Sequence, residues 1–473
     1  EDERTAGADQ LLARRWPRSA RLRTAEAIAR ELEQISGTLR PVVELDAFGL
    51  RAELLSSHLD QGLALVADCL SQPGFSEADA DRERRALITE LRGELHGDLR
   101  AATPLLGPLD PPAPTGEATA AQLLPRDDTA AAALRLFKGA LLPGHPYALE
   151  PSLQSVGSLS RRRLLELFRR AYPLSKLTIA VVGDVDPETV RERLDARLPT
   201  VAPSPPPAPA APGELAELRT PLQRVAYLPS QHAHMVVGYR APGLRGAERY
   251  AVEVLFELLA GPLGRLGREL KEKRGLAYAV QGVLQLGSEL GYLALHLATS
   301  PSNFDVAQTG LREELRKLID HQVAPAELLL AQDQLVSRQA ARRQRREGHA
   351  LELARAAALA LAPGEASTEG YEAGVREVSV AAVQRAAQRY LDDQRAVVAA
   401  VLPESLQRRP SSRPNLVELM QDPAPVLASD PNKIQLASRQ SAGLLHANKT
   451  RQSSPKSKPR TAAKKPKVGG AHH

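Results

Sequence analysis

A single cysteine in 473 residues leaves no partner for an internal disulfide. Cys69 lies in an apolar, helix-spaced run from Leu63 to Leu70 and is expected in a core. The lone thiol removes one pointer to secretion without settling the compartment, cytoplasm or periplasm. Long apolar runs are missing too, since none approaches the roughly 20 residues of a membrane-spanning helix. The first ten residues lack the basic-then-apolar order of a signal peptide. The chain does not begin with Met, as expected where a leader has been removed or left out. No stretch reads HxxEH or HExxH, and no Ser or Cys sits in a nucleophile elbow. These absences exclude a disulfide scaffold, a helical membrane protein and a self-contained zinc or serine hydrolase.

What is present suffices for globular cores: 43% of residues are apolar. The positive charge is confined to one end. From Glu404 onward there are 13 Lys and Arg against 4 Asp and Glu, leaving 49 against 52 in the body. The basic overall balance therefore implies no nucleic-acid groove in the folded part. The tail, 404–473, is Pro/Ser/Asn-rich and then Lys-rich. It is expected to be a disordered basic extension, with polyanion binding as its one functional alternative and no aromatic interleaving for base stacking.

Along the body, Arg23 to Ile35 has helical spacing with Thr24 as N-cap. Two strand-like runs follow between Gly37 and Leu55, then helices at His58–Leu70 and Glu77–Leu95. A Pro/Gly loop spans 101–128, and a helix at Thr129–Leu141 leads to Gly144-His-Pro-Tyr147. There His145 reads as a loop histidine satisfied by backbone. Ser160 caps a further helix, and Leu177–Val185 reads as a continuous apolar strand buried on both faces. Residues 201–215 form a proline-rich linker. Beyond it come strands at Arg224–Tyr227 and His234–Tyr239, a helix at Arg249–Leu259, a hairpin through Val283–Leu297, and helices at Asn303–Ile319, Pro325–Glu347 and His349–Leu361. His232 and His234, without an acidic neighbour, read as a polar strand face rather than a metal site.

The halves repeat. Val156–Ala180 aligns without gaps on Val375–Ala399, matching Ser160 to Ser379, Lys176 to Arg395 and Ile179 to Val398. A period above 200 residues marks a duplicated domain, not a solenoid. The fold class implied is α+β: two homologous domains, 1–200 and 216–403, each a mostly antiparallel sheet covered by helices.

Gly261–Gln281 is the most informative stretch. A charged helical turn from Arg268 to Arg274 stops at Gly275 and resumes as a strand-like run from Leu276. Arg274 and Tyr278 are thus brought to one junction. From the residues alone, Arg274 complements a helix C-terminal dipole and Tyr278 is a half-buried strand residue.

The words from Leu270 to Val280, LKEKRGLAYAV, resemble the second-domain signature of the insulinase/pitrilysin-type metallopeptidases, inverted zincins whose zinc half carries HxxEH. RTAEAIARELEQISG, ITEL, GHPY and KLTIAVVGDVDPETV look like that family's first domain in matching order, so the resemblance spans most of residues 5–403. It implies a clam-shell of two domains in which Arg274 and Tyr278 assist a zinc site across a cavity. On the same alignment the zinc-binding histidines are matched by Gln10 and Arg14, the general base by Ala13 and the third ligand by Thr89, with Glu90 one place off. Such a chain would bind no metal itself. It is expected to be a non-catalytic member that binds peptides and assists a zinc-bearing subunit or N-terminal half, the alternative being a structural or peptide-binding scaffold. Few residues precede the zinc-motif position, where the family places its first strands. The chain is accordingly expected to be part of a longer protein, or to leave strand backbone for something else to cover.

Overall fold

The computed structural model describes residues 4–406 apart from 19, 21–22, 72–73, 75, 97–127, 199–214 and 362–367. Nearly all of the expected loop 101–128, of the linker and of the tail lies outside the described residues; Asp128 already belongs to a helix. Local signals account for the helices. The Thr24 hydroxyl accepts from the Ala27 N–H and opens a helix that buries Ile28. The Ser160 and Ser379 hydroxyls accept from the Arg163 and Ala382 N–H groups in the same way, so the repeat is visible in its caps.

In the first half, α1 (Ala8–Arg15), α2 (Ala25–Gln34), β1 (Thr38–Val43) and β2 (Phe48–Glu53) precede α3 (Leu59–Ser71) and α4 (Glu77–His96). Next come α5 (Asp128–Leu141), α6 (Leu153–Ser158), α7 (Arg161–Ala171) and α8 (Pro187–Arg197). β1 and β2 form an antiparallel pair, Thr38 opposite Glu53 and Val43 opposite Phe48. Trp16 organises the core beneath them. Its ring stacks on Phe48 at 4.9 Å and meets Phe168 edge-on at 5.0 Å. Its indole N–H donates to the Cys69 carbonyl at 2.7 Å, satisfying one of the orphan acceptors at the end of α3. Cys69 is fully buried, and that burial pushes its thiol up to about 12, so it is an inert core residue.

The second half comprises β3 (Leu222–Leu228), β4 (Ala233–Pro242), α9 (Arg249–Ala260), a short π-helix (Gly267–Lys273), β5 (Ala279–Leu286) and β6 (Leu290–Thr299). It continues with α10 (Phe304–Asp320), α11 (Pro325–Gln344), α12 (Arg346–Ala358), α13 (Thr368–Arg376), α14 (Val380–Tyr390) and β7 (Val397–Pro403). The strands form one sheet, ordered β3-β7-β4-β6-β5, parallel only between β3 and β7. Met235, Val237, Val398 and Ala400 face a core shared with α9, α10 and α14. The alternate residues Val236, Ala294, Val397, Ala399 and Val401 face Ala133, Phe137 and Leu141 of α5. The architecture is α+β, helices over mostly antiparallel sheets.

The Leu177–Val185 reading needs correction. The segment follows a short 3-10 turn, Leu174–Lys176, but belongs to no strand, and Ile179 and Val181 are 37% and 39% exposed. An apolar run is buried on both faces only when neighbouring strands flank it, and none does so among the described residues.

Trp16→Phe keeps most of the ring packing and removes the indole donor. Equilibrium urea unfolding followed by far-UV circular dichroism is expected to show a loss of about 1–3 kcal/mol, and Trp16→Ala a loss of about 3–5 kcal/mol.

Candidate functional site

The stretch after α9 folds back on the helix it leaves, and two glycines permit this. A Cβ at Gly264 would lie 2.6 Å from the Leu259 carbonyl oxygen, and one at Gly261 would lie 2.4 Å from a Glu257 carboxylate oxygen. Glu257 is buried and receives a two-bond fork from Arg338, at 2.8 and 3.0 Å, which satisfies the charge that burial exposes. Arg265 makes a matching fork on Glu327 at the start of α11, at 2.6 and 2.7 Å. Leu266 and Leu270 are buried beneath the turn.

The turn itself is a π-helix. Arg274 N–H bonds the Glu269 carbonyl five residues back, at 3.1 Å. Gly275, at φ +60°, then reverses the chain in the left-handed region that glycine enters without a Cβ penalty. The strand-like run is slower to join the sheet than its pattern implies. Tyr278 N–H reaches the Ala298 carbonyl at 2.8 Å, and β5 proper begins at Ala279.

The two singled-out side chains are anchored differently. Arg274 crosses α10 beside Gly310, where a Cβ would come within 3.2 Å of its Nη1. It donates to Glu313 at 2.8 Å and lies 3.8 Å from Glu314, and the Glu313 bond raises its pKa further. Glu314 is buried and also accepts from Lys317 at 2.6 Å. Tyr278 is 59% exposed, its ring edge-on to His232 with centroids 5.1 Å apart. Its hydroxyl has no hydrogen-bond partner among the described residues. The sequence reading missed Glu313, Glu314 and the His232 contact, because only the folding of α10 and of the turn before β4 brings them here. It also missed His296. His234 Nδ1 meets His296 Nε2 across adjacent strands at 3.1 Å, the two buried rings stacked with centroids 5.4 Å apart.

The positions that the resemblance assigns to zinc lie on α1 and α4. Ala13 is buried and Gln10 half-buried. Arg14 forks onto Glu90, at 2.9 and 2.6 Å, and this bond, ahead of the cost of burial, raises its pKa. Thr89 turns outward, its hydroxyl bonded to the Arg85 carbonyl at 2.9 Å. A zinc ion does not fit this set: a fixed guanidinium occupies the one carboxylate, and an amide and a methyl offer no comparable donors. Among the described residues, no three His, Cys, Asp or Glu side chains gather as a metal-holding group, and no helix is long and apolar enough to cross a membrane.

Comparison with known proteins defines first the class. A protease from Helicobacter pylori superposes with a TM-score of 0.69, covering 85% of this chain and 91% of that one at 16% identity, so the fold is shared with a peptidase. Residues 158–335 match the profile described as Peptidase M16 inactive domain. A Mycobacterium leprae protein named as an uncharacterized zinc protease is 26% identical over 338 residues, 70% of this chain and 68% of the relative. A Mycobacterium tuberculosis protein of the same description is 27% identical over 306 residues, covering 63% of this chain. The match spans only 62% of that relative's length. These matches are to the insulinase/pitrilysin-type, or M16, peptidases, which the chain resembles in sequence over residues 158–335 and in fold.

The Arg265 fork holds the Glu327 carboxyl below the usual carboxylate range, outweighing the upward push of burial. A carboxylate with a depressed folded pKa stabilises the fold fully above its unfolded value, near 4.3, and loses that contribution as pH falls through the depressed value. Urea midpoints measured from pH 7 to pH 3 are expected to show Glu327→Gln less stable than the parent at pH 7. The gap should close progressively below about pH 4.3.

Proposed function

We propose that this chain is a non-catalytic member of the M16 peptidase family that binds peptide and assists proteolysis by a zinc-bearing partner, either a separate subunit or another part of a longer polypeptide. Gln10, Ala13, Arg14 and Thr89 then stand at degenerate zinc positions, with the Arg14–Glu90 ion pair closing the site by charge. The observation that carries this reading is Tyr278: an exposed phenol whose own backbone is tied to β6 and whose hydroxyl is unspent on the described residues. A donor held in place before the reaction costs no reorganisation when charge develops on a substrate oxygen, which is what an oxyanion-stabilising group requires. Arg274, positioned by Glu313, anchors a substrate carbonyl or carboxylate.

A second reading, a scaffold subunit without proteolytic duty, is favoured by the same Glu313 contact, since an arginine so engaged can be a packing residue. Peptide cleavage separates the two. The purified chain alone should hydrolyse nothing and hold less than stoichiometric zinc. Mixed with a zinc-bearing relative it should raise the cleavage rate, with Tyr278→Phe lowering kcat by roughly 100-fold and Arg274→Ala acting mainly on KM. Unchanged rates with both variants would leave the scaffold. Stoichiometric zinc near Gln10, with unaided hydrolysis, would overturn both readings.

A further inference from the structure

Hydrogen bonds to β6 fix the backbone around Tyr278. The Thr299 hydroxyl donates to the Leu276 carbonyl at 2.6 Å, and the Tyr278 N–H donates to the Ala298 carbonyl at 2.8 Å. Neither bond decides where the ring points. A tyrosine side chain turns between rotamers unless something packs on it, and at 59% exposure little packs on this one. The one ring it meets among the described residues is that of His232.

His232 reaches Tyr278 from the other side of β6. It stands just before β4, whose first residue, Ala233, lies opposite Thr299. The Ser230 hydroxyl closes a small turn on it, accepting from the His232 N–H at 3.0 Å and donating to the His232 carbonyl at 2.9 Å. The imidazole nitrogens make no hydrogen bond among the described residues, so what the ring offers is its contact with the phenol. The centroids are 5.1 Å apart and the planes 69° from parallel, within the range where aromatic rings attract edge to face. Each residue immediately precedes a strand, β4 or β5, that pairs with β6, so the sheet sets the spacing of the two rings.

We propose that His232 is a positioning residue that holds the Tyr278 phenol in the rotamer from which it donates, and that it acts through its ring and not through its nitrogens. His232 has this role only if Tyr278 is the oxyanion donor of the proposed function, on which the inference therefore rests. A donor aligned beforehand stabilises developing charge without reorganisation, whereas a phenol spread over several rotamers gives back part of that stabilisation. An edge-to-face pair favours the aligned rotamer by about 2- to 10-fold, and that factor is what His232 contributes to kcat.

Cleavage by the full chain mixed with a zinc-bearing relative tests this. His232→Ala should lower kcat by about 2- to 10-fold with KM unchanged. His232→Phe, which keeps a ring and discards the nitrogens, should restore it. In a Tyr278→Phe background His232→Ala should cost nothing further, because the hydroxyl it orients is gone. A second readout needs no catalysis. With fluorotyrosine in place of the nine tyrosines, the fluorine NMR signal that Tyr278→Phe removes should move toward the free amino acid's position in His232→Ala and remain displaced from it in His232→Phe. An unmoved signal in His232→Ala would overturn the positioning role. So would a parental kcat in His232→Ala while Tyr278→Phe is impaired, or a His232→Phe chain as slow as His232→Ala. Tyr278→Phe at the parental rate would instead overturn the oxyanion reading, and the positioning role with it.

Discussion

The five-stranded sheet has two faces and only one set of its own helices, and much of the structure follows from how the second face is covered. α5, which arrives from far earlier in the chain, lies across it. Phe137 sits where a Cβ on Gly238 would be 2.6 Å from its ring, and the same Cβ would be 2.2 Å from the Leu293 carbonyl oxygen. Glycine at that point lets the helix approach the strand closely enough to exclude water from Val236, Ala294 and Ala399. The halves thereby share a core, and an apolar strand buried on both faces, as β7 is, becomes stable.

Polar contacts set the register of that union. Asp46, in the β1–β2 turn, accepts from the Tyr147 hydroxyl at 2.5 Å and from the Ser288 N–H in the β5–β6 turn at 2.6 Å. Burial and this carboxylate together hold the Tyr147 phenol well above its ordinary range. Gly287 leaves room for the Tyr147 ring. Arg240 donates twice to the Leu141 carbonyl, at the C-terminus of α5, and once to that of Ala216. Each bond satisfies a group that packing would otherwise strand, so the two tight turns and the end of α5 are located to within a hydrogen bond of one another.

Helices were legible in the sequence because their signals are local. Thr24, Ser160 and Ser379 each bond an N–H three residues on, and Gly275 stops its turn through its own φ. The strands of the second half were legible because alternation and hairpin spacing agree with their pairing. Leu177–Val185 carries as strong an apolar pattern as Val397–Pro403 and yet forms no strand, since pairing is decided by what lies beside a segment and not by its own composition. Candidate-site geometry divides on the same line. The junction after the turn could be read from Gly275, whereas the acidic pair facing Arg274 could not, because Glu313 and Glu314 lie 39 and 40 positions away and look like an ordinary solvated helix face.

That acidic pair bears on what the junction can recognise. Arg274 and Lys317 face Glu313 and Glu314, two positive charges against two negative, with Glu314 buried and shared between both cations. A guanidinium balanced in this way exerts little net pull on a carboxylate, but it keeps N–H donors beyond the one spent on Glu313. On the proposed function, that favours a neutral peptide carbonyl over a chain-terminal carboxylate as its ligand. It also assigns unequal parts to the two residues, Arg274 to holding the chain of a peptide and the freely accessible Tyr278 hydroxyl to meeting charge as it forms.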